Sequence, residues 1–220
     1  MQPTPLYIVA SPRPRVGKTL LARLLMEYFL DNRRPLVGFD LNPREPTLAG
    51  RFPKLVWPVD IGDIRGQMEL FDRLVADTAS TKVIDVGYGL FEQFFAVIGD
   101  IGFAEETRRR GIDTIVFFIT DQTIATVRIY AKLQERVAAI FQPVHNESAS
   151  LMTSMEDFPP TRPECGTVRM PVCLKSCAAW STGRASPSTP TWPTSRAALP
   201  KSIAGSPIST RNFAISSCGS

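Results

Sequence analysis

Ser11-Pro12-Arg13-Pro14-Arg15-Val16-Gly17-Lys18-Thr19 ends in GK[ST], the close of a phosphate-binding loop, and its neighbours on both sides decide how it is read. Before it, Leu6 to Ala10 (LYIVA) is a short apolar run rich in β-formers that stops at Ser11 and two prolines, as a buried strand entering a loop should. After it, Leu20, Leu21, Leu24, Leu25, Tyr28 and Phe29 recur along one face of a helix that begins at Thr19 and stops before Asn32 and Pro35. Strand, loop and helix in that order turn the backbone N–H groups of Val16 to Thr19 into one cup, backed by the partial positive charge of the helix start. Lys18 is expected to pair with β- and γ-phosphate oxygens, and Thr19 to ligate Mg²⁺ through its hydroxyl. The nucleotide-binding set predicted from the loop is Arg13, Pro14, Arg15, Val16, Gly17, Lys18, Thr19 and Leu20.

Further along, strands and helices alternate. Leu36 to Phe39 is a second strand, and Met68, Phe71, Leu74 and Val75 mark a helix before Lys82 to Val86 (KVIDV), which delivers Asp85 at a strand's carboxyl end. Thr114 to Thr120 (TIVFFIT) is another buried strand, with Asp121 as candidate cap of the next helix, where Ile124, Val127, Tyr130 and Ala131 share a face. Ala139 to Val144 reads as a final strand. Continuous apolar strands with helices between them predict an α/β fold: a mostly parallel, doubly wound sheet. Ligands in such sheets sit beyond the strands' carboxyl ends, here after Ala10, Phe39, Ile84 and Ile119.

Composition separates a front part from a tail. The 220 residues are 44% hydrophobic and 21% charged, which allows a packed core and excludes collagen-like or wholly disordered classes. No apolar run approaches a membrane span; the richest, Phe91 to Ala104, is broken by Glu92, Gln93 and Asp100. The opening residues lack the pattern of a secretory signal, so a cytoplasmic protein is expected. Lys+Arg number 19 against 20 Asp+Glu through residue 163, and 6 against 1 after it, so the basic excess belongs to the tail. That charge is dispersed and gives no support for nucleic-acid binding. Cys165, Cys173, Cys177 and Cys218 all lie there too, without paired metal-knuckle spacing and away from the single histidine, His145. The expected division is a nucleotide-binding domain over 1–163 and an irregular Ser/Thr/Pro-rich tail over 164–220.

Pro12 stands where GxxxxGK[ST] has its first glycine, and the loop fits the shorter KGGxGK[ST] form better, with Arg13 at the leading lysine. Asp40-Leu41-Asn42-Pro43-Arg44 is similar to a DxDPQ segment, and Val83-Ile84-Asp85-Val86-Gly87 to a Walker-B strand end. In these three landmarks the chain resembles the ParA/MinD-type partitioning ATPases, P-loop NTPases, over residues 5 to 146. The resemblance implies ATP and Mg²⁺ as cofactors, slow hydrolysis, nucleotide-dependent homodimerisation and a protein partner that the sequence does not identify. It implies catalytic roles for Lys18, Arg13 and Asp40, with Asp40 organising Mg²⁺ and the attacking water, and it makes Thr19, Asp85 and Asp40 the metal set. Ile119-Thr120-Asp121 resembles a later strand and loop, and Asn146 would face the base. The alternative for either aspartate is a loop residue that caps the next element.

Three departures bear on chemistry. Asn42 replaces a second carboxylate and cannot accept a proton, which points to slow or absent hydrolysis. Pro14 and Arg15 replace paired glycines, removing one N–H and placing Arg15 where a positive φ would cost about 1 kcal/mol or more. Arg13 presents a fork that can grip a γ-phosphate within the subunit or across a dimer, unless it is ordinary solvated charge. A non-hydrolysing adaptor, or a small-molecule kinase or synthetase, would use the same loop; the only marker for the latter is Arg108 to Arg110, which also fits the exposed face of a helix.

From about Val172 onward no helical or strand period is present. Read one base over with G/C-leaning codons, however, the tail runs without a stop and carries apolar residues at helical spacing among acids and bases. We read it as an original C-terminal helix replaced by out-of-frame sequence after a one-base change near Met170 to Cys173, with a genuine Ser/Thr/Pro-rich extension as the alternative. Loss of that helix is expected to leave apolar surface exposed near Phe141.

Overall fold

The apolar runs become a sheet covered on both faces. The computed structural model describes residues 4–121, 123–149, 157–163 and 166–171. In chain order the elements are β1 (Thr4–Ala10), α1 (Lys18–Asp31), β2 (Leu36–Leu41), α2 (Thr47–Arg51), β3 (Val56–Pro58), α3 (Ile64–Ala76) and β4 (Thr81–Val86). A short 3₁₀ turn, Tyr88–Leu90, leads into α4 (Phe91–Asp100), α5 (Phe103–Arg109), β5 (Ile112–Ile119), α6 (Ile124–Arg136), β6 (Ile140–Asn146) and β7 (Val168–Met170). The strands form one sheet in the order β3-β2-β4-β1-β5-β6-β7, and every pairing is parallel. The expected doubly wound α/β architecture is therefore present.

Alternation along the strands feeds two cores. Leu6, Ile8 and Ala10 of β1 pack with residues of α3, α4, α5 and α6 on one face, whereas Tyr7 and Val9 pack with α1 and α2 on the other. Both faces need apolar residues, which is why the strands read as unbroken hydrophobic runs. Chain order reverses around β1: the chain passes from it to β2 and β3 on one side, returns to β4, and continues through β5, β6 and β7 on the other. The loop after β1 thus sits at the switch point, where open α/β sheets leave a crevice.

Several expectations change. The apolar stretch from Phe91 to Ala104 folds as the end-to-end helices α4 and α5, broken at Gly102 with φ of 59°. Asp121 does not cap α6; Thr123 does, its hydroxyl accepting from the Thr126 N–H at 3.3 Å. The sheet continues past the expected boundary at 163, because β7 pairs in register with β6 from Val144↔Val168 to Asn146↔Met170. Phe141 is fully buried rather than exposed. Tyr130 and Phe158 cover this side, the Tyr130 ring lying 5.8 Å from Phe141 and 5.5 Å from Phe158, while Thr161 exchanges two hydrogen bonds with the Phe141 backbone. Arg108, Arg109 and Arg110 are exposed at the end of α5. The tail reading, from Val172 onward, lies outside the described residues.

Candidate functional site

The loop from Ser11 to Gly17 joins the centre of the sheet to α1 through two left-handed residues, Arg15 at φ 59° and Gly17 at φ 94°. Arg15 therefore adopts the conformation anticipated for it, at a cost of about 1–2 kcal/mol relative to glycine. Gly17 is required twice over: its φ disfavours a side chain, and a Cβ built on it would stand 2.5 Å from Asn146 Nδ2. The first helical bond is Leu21 N–H to Gly17 C=O at 3.0 Å. The N–H groups of Lys18, Thr19 and Leu20 precede it, so helix geometry gives them no acceptor within α1, and the helix start carries neither a side-chain cap nor an acidic residue. Such donors suit an anion.

Lys18 closes the ring. Its ammonium donates to the Arg13 carbonyl at 2.6 Å, across the loop. Burial pushes its pKa down to about 8, against the pull of Asp85. Asp85, at the end of β4, is buried in register with Asp40 of β2. Burial pushes its carboxyl up to about 6; the negative charge of Asp40 adds to this, while a hydrogen bond from Thr19 and the charge of Lys18 oppose it. Thr19 and Asp85 thus bring a hydroxyl and a carboxylate oxygen to the same side of the cup. This fits Mg²⁺, which takes one or two protein oxygens and fills its shell with phosphate oxygens and water. No group of three acidic, histidine or cysteine side chains placed to hold a metal occurs among the described residues.

Asp40 sits within β2, not in a loop beyond Phe39, and both its oxygens are in use. Oδ1 accepts from Asn42 N–H at 3.1 Å, and Oδ2 accepts from Leu48 N–H at 2.9 Å and Ala49 N–H at 3.1 Å. Burial raises its pKa while these three amides pull it back. The carboxylate thus ties off the start of α2, as the capping alternative expects. Asn42 is likewise engaged, its side-chain amide donating to Glu45 C=O at 2.9 Å.

Asn146 lies against the loop. Its amide donates to the Val16 carbonyl at 2.9 Å, bracing the loop from the end of β6, and its oxygen accepts from Ser148 N–H at 3.0 Å. The Arg13 guanidinium is held by the β5–α6 loop: Nε donates to Asp121 at 2.7 Å and a terminal nitrogen to the Thr123 hydroxyl at 2.8 Å. Pro14 and Arg15 are exposed, Val16 is buried, and Leu20 is half-buried against the α1 core. The structure therefore brings together the loop, Lys18, Thr19 and Asp85, and gives Asp40, Asn146 and Arg13 other partners. The roles of Asp121 and Thr123 as anchors for Arg13 were missed; the one available signal was the Asp-x-Thr sequence ahead of α6, an acceptor-rich helix start.

No protein-family model matches the chain, and no curated protein matches it in sequence. Among solved structures it is similar to the nucleotide-binding protein of Archaeoglobus fulgidus in complex with ADP, with 12% identity over 81% of this chain and 86% of that one and a TM-score of 0.49. It is also similar to a ParA family ATPase from Chlorobium tepidum (8% identity, 71% and 78% covered, TM-score 0.45). A third is the MinC:MinD cell division protein complex of Aquifex aeolicus (12%, 65% and 68%, 0.42). On its own strand order, with this loop at the switch point, the chain has a P-loop NTPase-like α/β fold.

Proposed function

We propose that this protein binds ATP with Mg²⁺ at the Ser11–Thr19 loop, turns it over slowly, and uses the bound state as a dimerisation switch of the ParA/MinD partitioning type. The observation that carries the reading is the cup itself: free-ended amides at the start of α1, Lys18 folded over the loop, and the Thr19–Asp85 oxygen pair beside it. In this reading Lys18 exchanges the Arg13 carbonyl for β- and γ-phosphate oxygens, a stronger, charged acceptor. Thr19 and Asp85 would hold the cation, which when bound supplies charge neutralisation at the phosphates. The amides of Lys18 to Leu20 stay fixed, so they stabilise developing charge without reorganising. Homodimerisation, a protein partner and a cytoplasmic location belong to the same proposal; among the described residues no helix is long and apolar enough to cross a membrane.

A second reading, a nucleotide-binding adaptor without hydrolysis, is favoured by one observation. Asp40 is occupied by three backbone amides of α2 and its neighbouring turn, and Asn42 carries an amide that cannot take a proton from water. Equilibrium binding of ATP, GTP and ADP with and without Mg²⁺, on wild type and Lys18→Ala, tests the common core. Binding is expected to need Lys18 and to tighten with Mg²⁺; no Lys18-dependent binding would end both readings. Phosphate release then separates them, because only the switch shows Lys18-dependent turnover.

A further inference from the structure

Arg13 has its backbone on the rim of the cup and its guanidinium elsewhere. Its carbonyl accepts from Lys18, while Nε and a terminal nitrogen donate to Asp121 and Thr123, more than a hundred residues away on the β5–α6 loop. The receiving site is built in advance. The other Asp121 oxygen accepts from Thr123 N–H at 3.0 Å and from its hydroxyl at 2.9 Å, and that hydroxyl also caps α6. The Arg13 side chain is 43% exposed and that of Asp121 is 17% exposed, so the pair is solvent-screened and exchangeable rather than locked in. A terminal phosphate is a stronger partner for the same fork, offering several charged oxygens to parallel N–H groups.

We propose that the Arg13–Asp121 pair is a latch that holds the arginine off the phosphate cup and that a nucleoside triphosphate, but not a diphosphate, releases it by competing for the guanidinium. This rests on the nucleotide-binding reading above and goes further, because it makes Asp121 a positioning residue that sets triphosphate against diphosphate preference. By linkage, whatever holds Arg13 on Asp121 weakens triphosphate binding by the same factor.

The test is equilibrium binding of MgATP and MgADP to wild type, Asp121→Asn and Asp121→Ser, the serine retaining an oxygen for the Thr123 N–H should the asparagine variant not fold. Removing the latch is expected to raise the ATP-to-ADP affinity ratio about 1.5- to fivefold, the range of a part-exposed charged pair, with ADP affinity unchanged. Adding Arg13→Gln is expected to abolish that gain. An unchanged or lower ratio, equal weakening of both nucleotides, or a gain that survives Arg13→Gln overturns the latch while leaving nucleotide binding intact. Failure of the wild type to bind either nucleotide overturns both proposals.

Discussion

Gly17→Ala probes the joint between loop and sheet, because two separate costs meet there. Alanine at φ 94° loses about 1–2 kcal/mol to the left-handed conformation. Its Cβ would also stand 2.5 Å from Asn146 Nδ2, inside any real contact, so the buried Asn146 amide must shift. Moving it breaks the 2.9 Å bond to the Val16 carbonyl and strands a buried acceptor, a loss of about 1–3 kcal/mol. The substitution should therefore destabilise by about 2–5 kcal/mol. In an Asn146→Ala background the second loss has already been taken, and Gly17→Ala should cost only its backbone share, about 1–2 kcal/mol. Urea unfolding of the four proteins, at constant slope, reads the cycle. Agreement of the two Gly17→Ala costs to within about 0.5 kcal/mol would mean that the residues are independent, refuting the brace.

Other outcomes follow from the same contacts. Arg15→Gly should stabilise by about 0.5–1 kcal/mol, since relief of the positive φ exceeds the added freedom of the unfolded chain and the side chain is exposed; a lower urea midpoint would contradict this. Burial of Asp121 raises its pKa, but hydrogen bonds from Thr126 and Thr123 and the charge of Arg13 outweigh it and hold the carboxyl below its ordinary value. A depressed folded-state pKa adds stability that is present above the unfolded value and lost as pH falls through the folded one. Asp121→Asn should thus be less stable than wild type at pH 7, by under about 1 kcal/mol, with the gap closing below about pH 3.8; a gap that widens in acid would exclude the ion pair as its source. Resequencing the gene across Val172 should show the one-base change, whereas a confirmed, uninterrupted frame and a purified protein of matching mass would establish a genuine extension.

The sheet was legible because its strands are buried on both faces and its long helices are amphipathic over several turns. Leu6 to Ala10, Lys82 to Val86 and Thr114 to Thr120 each lie within observed strands or one residue beyond. The short elements escaped, since α2, β3 and β7 have five, three and three residues, too few for a period to repeat, and the ten-residue α4 was passed over inside the apolar Phe91 to Ala104 stretch. Gly17, Lys18 and Thr19 could be placed from local order alone. The partners of Asp40, Asn146 and Arg13 could not, because each depends on residues that only the folded sheet brings near. Asp40 looked like a ligand residue because the α2 amides that consume it belong to a helix with no sequence signal. Asn146 meets Val16 across 130 positions, and Arg13 meets Asp121 across 108.

The seventh strand divides the gene into codons that the loop depends on and codons that it does not. The Met170 methyl lies 3.7 Å from where a Cβ on Gly17 would sit, and the Met170 carbonyl accepts from Glu147 N–H at 2.9 Å, next to Asn146. A shift of reading frame upstream of Val168 would erase this back wall and with it the support behind Gly17. One that falls after Pro171 leaves every described contact of the loop as it was, so a lesion there could persist without touching the cup.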